Sequence, residues 1–266
     1  MINKNNKFIL RCYSILRLFG FDPLQFMRSL GGIGFYIRNY FSLKKQRGDD
    51  NTFPFGRIYP ILGERNTESG TMSGHYFHQD LFVANRIFNI NPERHIDIGS
   101  RTDGFVAHVA SFRKIEIIDI RDQKSKVKNI EFRQADLMEL PDDMINSCDS
   151  ISALHSIEHF GLGRYGDPID YFGHLKAIKN ISRIVKSGGR FYFSAPIGSQ
   201  RIEFNAHRVF SVEYVMNLFN ENFNLIGFSF VDDKGDLFED VALNEKDVKN
   251  NFGCSYGCGI FELIKK

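Results

Sequence analysis

The 266-residue chain lacks any run of about 20 apolar residues, the length a membrane-spanning helix needs, so no such helix is expected. It also lacks a signal-peptide pattern: Arg11 and Arg17 interrupt the first apolar stretch, and no small-residue cleavage site follows. A cytoplasmic location is therefore expected. Cysteine is sparse, and Cys12, Cys148, Cys254 and Cys258 do not form a disulfide framework, which fits a reducing compartment. Cys254 and Cys258 lack two further ligands at matching spacing, so no metal site is expected. Excess charge of one sign is absent too: a formal net charge of +2 gives no basis for nucleic-acid binding. Tryptophan is missing beside 27 phenylalanines, a bias more readily ascribed to codon usage than to chemistry.

What is present is enough apolar residue, 42%, to bury a full core. Residues 1–47 stand apart. They carry Lys4, Lys7, Arg11, Arg17, Arg28, Arg38, Lys44, Lys45 and Arg47 against the single acid Asp22, interleaved with Phe8, Ile9, Leu16, Phe19, Phe26, Phe35, Tyr36 and Phe41. This pattern predicts two basic amphipathic helices broken near Gly20 to Pro23. They serve either to cap the main domain or to contact an anionic membrane surface peripherally. Residues 48–74, rich in Gly, Pro, Asn, Asp, Thr and Ser, read as a linker or lid.

From residue 75 to 266 strands alternate with helices, as in a parallel sheet covered on both faces. The apolar pattern predicts helices over Tyr76–Phe88, Phe105–Ser111, Tyr171–Val185 and Ser211–Phe219. Strands are predicted at His95–Ile98, Ile115–Asp119, Ile130–Phe132, Ser150–Leu154, Gly189–Pro196, Phe223–Val231 and Gly259–Ile264. The stretch Asp97-Ile98-Gly99-Ser100-Arg101-Thr102-Asp103-Gly104 follows a strand and opens a helix, so its backbone N–H groups and small side chains can approach a ligand. Asp119 closes the second strand and Asp136 follows the third, which places three acids at one sheet edge. A carboxylate at the end of the second strand can accept from both hydroxyls of a ribose.

The succession Ile96-Asp97-Ile98-Gly99-Ser100, Asp119, Ala135-Asp136-Leu137, Leu154-His155-Ser156-Ile157-Glu158-His159 and Lys186-Ser187-Gly188-Gly189-Arg190-Phe191 resembles the ordered motifs of class I S-adenosyl-L-methionine (SAM)-dependent methyltransferases. The resemblance covers about two thirds of the chain. It implies a doubly wound, mostly parallel, seven-stranded Rossmann-like α/β sheet with an N-terminal helical extension. It also implies SAM as cofactor, with Asp97, Gly99 and Ser100 beside the methionine, Asp119 at the ribose, Asp136 and Leu137 at the adenine, and Leu154 and His155 closing the pocket. Arg101 and Asp103 depart from the family, which has glycines there.

Gly74–Asp80, Gly161–Asp167 and Asn205–Arg208 are similar to a group of methyltransferase-like proteins, some encoded among bacterial surface-polysaccharide genes. That likeness implies O-methylation of a sugar hydroxyl on a small-molecule or glycan acceptor. Methyl transfer needs a group to take the acceptor's proton. His159 is the first candidate, oriented by Glu158, and His207 the second; Arg208 and Tyr165 are candidates to hold the acceptor. Two other readings are open: a non-catalytic scaffold of the same fold, and a nicotinamide-dependent oxidoreductase, although the Gly-x-Gly-x-x-Gly turn of the latter is missing.

Overall fold

The computed structural model describes residues 12–266 except Asn66 and Pro141. The readings at Lys4, Lys7, Phe8, Ile9 and Arg11 therefore lie outside the described residues. The chain divides into two compact units, residues 1–71 and 72–266.

In the first unit, α1 includes residues 12–18, and α2 spans Pro23–Arg47. The break falls where Gly20 to Pro23 predicts it. Asp22 caps α2 by accepting from the N–H groups of Leu24 and Gln25, both at 3.0 Å, and Pro23 occupies the first turn, where its missing N–H is harmless. Lys44, Lys45 and Arg47 crowd the last turn, where they complement the helix dipole. No residue of α2 is buried. The predicted linker holds no helix or strand among its described residues, yet it returns along α2 as far as Leu62. A Cβ on Gly32 would stand 2.0 Å from the Leu62 carbonyl oxygen, and the Arg65 guanidinium lies 4.3 Å from the Phe35 ring centroid.

The second unit contains α3 (His75–Ile90), β1 (His95–Ile98), α4 (Ala107–Ala110), β2 (Ile115–Asp119), β3 (Ile130–Gln134), β4 (Cys148–Leu154), α5 (Gly173–Ile184) and β5 (Val185–Ile197). It continues through β6 (Arg201–Glu203), β7 (His207–Val209), α6 (Val212–Phe219), β8 (Phe223–Val231), β9 (Leu237–Phe238), α7 (Glu245–Lys249) and β10 (Gly257–Lys265). The main sheet runs β3-β2-β1-β4-β5-β10-β8-β9. Strands β1 to β5 pair in parallel, while β10 is antiparallel to both β5 and β8. The expected sheet of seven thus has an eighth member, the two-residue β9, too short to leave a periodic signal. β6 and β7 form a separate hairpin that the sequence reading missed.

Alternation along the strands builds two cores and makes the fold doubly wound. Phe191, Phe193, Phe261 and Leu263 face one side with Ile178 and Ile181 of α5 and Val215 and Phe219 of α6. Ile115, Ile117, Tyr192 and Ile260 face the other with Val83 and Ile87 of α3 and Val109 of α4. Burying each such side chain contributes about 1.5–3 kcal/mol. The strand order reverses between β1 and β4, and the crevice outside the carboxyl ends of strands at such a switch point is where open α/β sheets receive ligands.

The helix expected over Phe105–Ser111 differs. Residues Thr102–Val106 form a wider π-type turn that runs into the four-residue α4. Gly104 leaves helical geometry at φ −120°, ψ −106°, and a Cβ there would lie 2.3 Å from Asp80 Oδ2. The carboxylate of α3 occupies the space that a regular side chain would need.

Candidate ligand cleft at the strand ends

A cleft of about 420 Å³ opens at the switch point, within the range typical of small-molecule sites. Its first wall is the turn after β1. Gly99 has φ +66°, favoured by glycine, and a Cβ there would stand 3.3 Å from the Ser156 Cβ. Beneath it, Asp97 is fully buried and does not line the cleft. Asp97 Oδ1 accepts from Ser100 Oγ and Ser152 Oγ, both at 2.6 Å, and Oδ2 accepts from the Ser100 N–H at 3.0 Å. Asp97 therefore shapes the turn from below. Burial raises its carboxyl to about 6, opposed by the serine bonds. Asp80, also buried, is raised to about 6 for the same reason. Arg101 and Asp103, which replace two expected glycines, pair with each other at 2.9 Å, and Arg101 lies over the Tyr76 ring.

The second wall comes from β2 and β3. Asp119 lines the cleft and is gripped by Arg121: Nε donates to Oδ1 at 3.0 Å, Nη2 to Oδ2 at 2.6 Å, and the Arg121 backbone N–H to Oδ1 at 2.8 Å. The same guanidinium lies 4.3 Å from the Tyr165 ring centroid, with Arg164 at 5.1 Å. Asp136 Oδ1 accepts from the Met138 N–H at 2.9 Å, which fixes the bend after β3, and Leu137 supplies an apolar surface.

The third wall follows β4. His155 takes a left-handed backbone at φ +49°, sparsely populated outside glycine and often found at functional sites. Its Nδ1 is 2.8 Å from Glu158 Oε1. Burial opposes charge on His155, but the Cys258 sulfur and the Glu158 carboxylate outweigh it and hold the imidazole up to about 10. Burial likewise disfavours the charged Glu158, yet His155 keeps its carboxyl below the usual range. Glu158 thus orients His155 first, while His159 Nε2 lies 3.8 Å from Glu158 Oε1. His159 Nδ1 is 2.6 Å from the Ala206 carbonyl oxygen, which accepts its proton. With Nδ1 so engaged, Nε2 is left with its lone pair. Burial, partly countered by Glu158, holds His159 below its ordinary value and favours the neutral base.

The structure therefore brings Gly99, Ser100, Asp119, Asp136, Leu137, His155, His159 and Tyr165 to one cleft. His207 stands behind it, its ring centroid 6.5 Å from that of His159. Leu154 is buried below the rim. Arg208 departs from the acceptor-holding role: it is buried, Nη1 donates to the carbonyls of Phe160 at 2.6 Å and Glu158 at 3.3 Å, and Nη2 donates to that of Tyr171 at 3.0 Å. Its planar fork braces the loop after β4, leaving it no free face toward a ligand. The sequence reading missed Arg121, Ser152, Ser156, Gln79 and Asp80. Ser156 lies inside the Leu154–His159 motif and Gln79 and Asp80 inside the Gly74–Asp80 stretch, but neither pattern assigns them a role; the alternation of Ser150 and Ser152 on a buried strand hints at a polar network, and nothing local marks Arg121.

This sheet and cleft define a doubly wound, Rossmann-like α/β protein with an open cleft at the switch point. The family model described as "Caenorhabditis protein of unknown function, DUF268" matches residues 104–254, more than half of the chain, and the chain belongs to that family. No curated protein matches it. Among solved structures, it is similar to the N-methyltransferase NodS from Bradyrhizobium japonicum WM9 in complex with S-adenosyl-L-homocysteine, at 12% identity and TM-score 0.48 over 85% of this chain and 97% of that one. It is also similar to 1,6-didemethyltoxoflavin-N1-methyltransferase from Burkholderia thailandensis, at 11% identity and TM-score 0.48, over 71% and 78% of the two chains. A third likeness is to YcgJ from Bacillus subtilis, at 16% identity and TM-score 0.46, over 71% and 98%.

Proposed function

We propose that the protein binds SAM in this cleft and methylates a sugar hydroxyl of a glycan precursor, of the kind used in cell-surface polysaccharide. The observation that carries the reading is the convergence of Gly99–Ser100, Asp119, Asp136–Leu137 and His155–His159 from the ends of β1 to β4 on one cleft. The residues fit the cofactor: the Asp119 carboxylate already accepts a two-donor fork from Arg121, the demand that two vicinal ribose hydroxyls would make. When bound, SAM supplies an electrophilic methyl group on a sulfonium. His159 accepts the proton of the acceptor hydroxyl at Nε2, held by the Ala206 carbonyl at Nδ1, and the Glu158 carboxylate stabilises the imidazolium that forms. Tyr165, edge-on to His159 at 5.5 Å, positions the acceptor.

Calorimetric titration with SAM, S-adenosyl-L-homocysteine and NAD⁺ tests the cofactor. Binding of both S-adenosyl compounds and not of NAD⁺ is expected; no binding of either overturns the reading. Transfer of a labelled methyl group to sugar acceptors then tests the substrate class.

The grip of Arg121 on Asp119 favours a second reading, a non-catalytic scaffold of the same fold in which Arg121 keeps the Asp119 carboxylate occupied. We also read residues 1–47 as a peripheral contact with anionic membrane, since Leu24, Phe26, Met27, Ile37 and Phe41 are exposed beside basic side chains. No helix among the described residues is long and apolar enough to cross a membrane.

A further inference from the structure

We infer that His75, His155 and Cys258 form a zinc site, with two imidazole nitrogens and the Cys258 sulfur as ligands and a fourth position left for water or a small ligand. The three residues come from the start of α3, the end of β4 and the start of β10, and their donor atoms lie within 4.8 Å of one another. A tetrahedral zinc ion with ordinary Zn–N and Zn–S lengths sets its donors about 3.3–3.7 Å apart. The cluster therefore needs to draw in by at most about 1.5 Å.

The second observation is an orphan. His155 Nε2 is buried in a side chain only 4% exposed, with no nitrogen or oxygen partner among the described residues; the neighbour that meets this ring besides Glu158 is the Cys258 sulfur. A buried imidazole nitrogen whose available neighbour is a sulfur is poorly satisfied by hydrogen bonding alone, and a metal ion between the two would satisfy both. The other ring nitrogen meets Glu158 at 2.8 Å, the carboxylate–histidine arrangement that fixes the orientation of a metal-binding imidazole and makes it more basic. Besides its interaction with His155, the Cys258 thiol has weak contacts, at 3.6 Å to Gln79 Oε1 and at 3.9 Å to the Gly259 carbonyl.

Donor chemistry selects the ion. Two imidazoles and a thiolate suit zinc and disfavour magnesium or calcium, which take oxygen ligands. The His75 ring lies parallel to that of His155, with centroids 5.2 Å apart and planes 7° apart. His75 opens α3 and is half-buried, so its ring can turn to bring a nitrogen toward the centre. On binding, the ion takes one lone pair from each ligand, and any proton those atoms carry leaves to solvent with no change of oxidation state. Because His155 also lines the cleft, the ion would stand at the cleft wall.

The test uses the full, untagged chain, stripped with a chelator and titrated with Zn²⁺ against a chromophoric indicator, then with Co²⁺ followed by absorption. Expected are about one equivalent of Zn²⁺ and, with Co²⁺, a thiolate charge-transfer band with tetrahedral d–d bands. Cys258→Ser should abolish the charge-transfer band, and His75→Ala should weaken Zn²⁺ binding at least about tenfold. His75→Ala, at a half-buried helix start, keeps the test valid if Cys258→Ser does not fold. No stoichiometric uptake, a cobalt spectrum without the thiolate band, or undiminished Zn²⁺ binding in folded His75→Ala would each overturn the site. Titrations with and without S-adenosyl-L-homocysteine separate failure of the metal site from failure of the cofactor reading.

Discussion

Asp119 and Arg121 make the sharpest test of the proposed cofactor site, because a ribose at Asp119 would require Arg121 to release it. The Asp119 side chain is 14% exposed and that of Arg121 50% exposed. A largely buried, ionised acceptor that takes hydrogen bonds from a ribose is worth about 1–3 kcal/mol, so Asp119→Ala should weaken S-adenosyl-L-homocysteine binding about 5- to 150-fold. Arg121 competes for the same two oxygens. Its half-exposed ion pair is worth only about 0.2–1 kcal/mol, so Arg121→Ala should strengthen binding up to about fivefold. In an Asp119→Ala background the Arg121 substitution should then have no effect, since the contested carboxylate is gone. Isothermal calorimetry on the four proteins reads all three expectations. If Arg121→Ala weakens binding as much as Asp119→Ala, the guanidinium helps to hold the ligand and does not compete with it. If Asp119→Ala binds like the unaltered protein, Asp119 is not at the ribose.

His159→Ala should lower methyl transfer by about 10² to 10⁴ with cofactor affinity nearly unchanged; retained turnover there, with collapse in His207→Ala, would move the base to His207. Asp97 has a buried carboxyl raised from 3.8 to about 6, so the folded state holds its proton more tightly than the unfolded chain. The contribution of Asp97 to stability then falls as pH rises from about 4 to 6. Asp97→Asn should be more favourable relative to the unaltered protein at pH 8 than at pH 4 by about 2.4 kcal/mol; equal denaturation differences at the two pH values would refute this. The full chain should sediment with phosphatidylserine vesicles in a salt-sensitive manner, whereas a chain begun at Met72 should stay in the supernatant yet still bind S-adenosyl-L-homocysteine; cosedimentation of the shorter chain would remove residues 1–47 from that role.

Local chemistry made much of the fold legible. β1, β2 and β8 lie where alternating or continuous apolar residues predict them, because a strand's burial pattern is written in its own residues. The Asp22 and Ser211 caps are local too, each side chain accepting an N–H two or three residues ahead. Gly99 was legible as a turn residue, and Asp119 as the acid closing its strand. The hairpin of β6 and β7 was not, since three-residue strands carry too short a period to read.

The sequence by itself determined the alternation of strands and helices, the helix break before Pro23, and the acids and histidines that end consecutive strands. Tertiary structure alone decided which of them meet. Asp97 drops beneath its turn because serines of β4 lie beside β1, Arg208 turns inward because the loop after β4 needs donors for its carbonyls, and Cys258 reaches Gln79 across 179 residues of chain. Hydrophobic period is a property of a few neighbouring residues, whereas strand order and register depend on the free energy of pairing distant segments, and no local spacing records that choice.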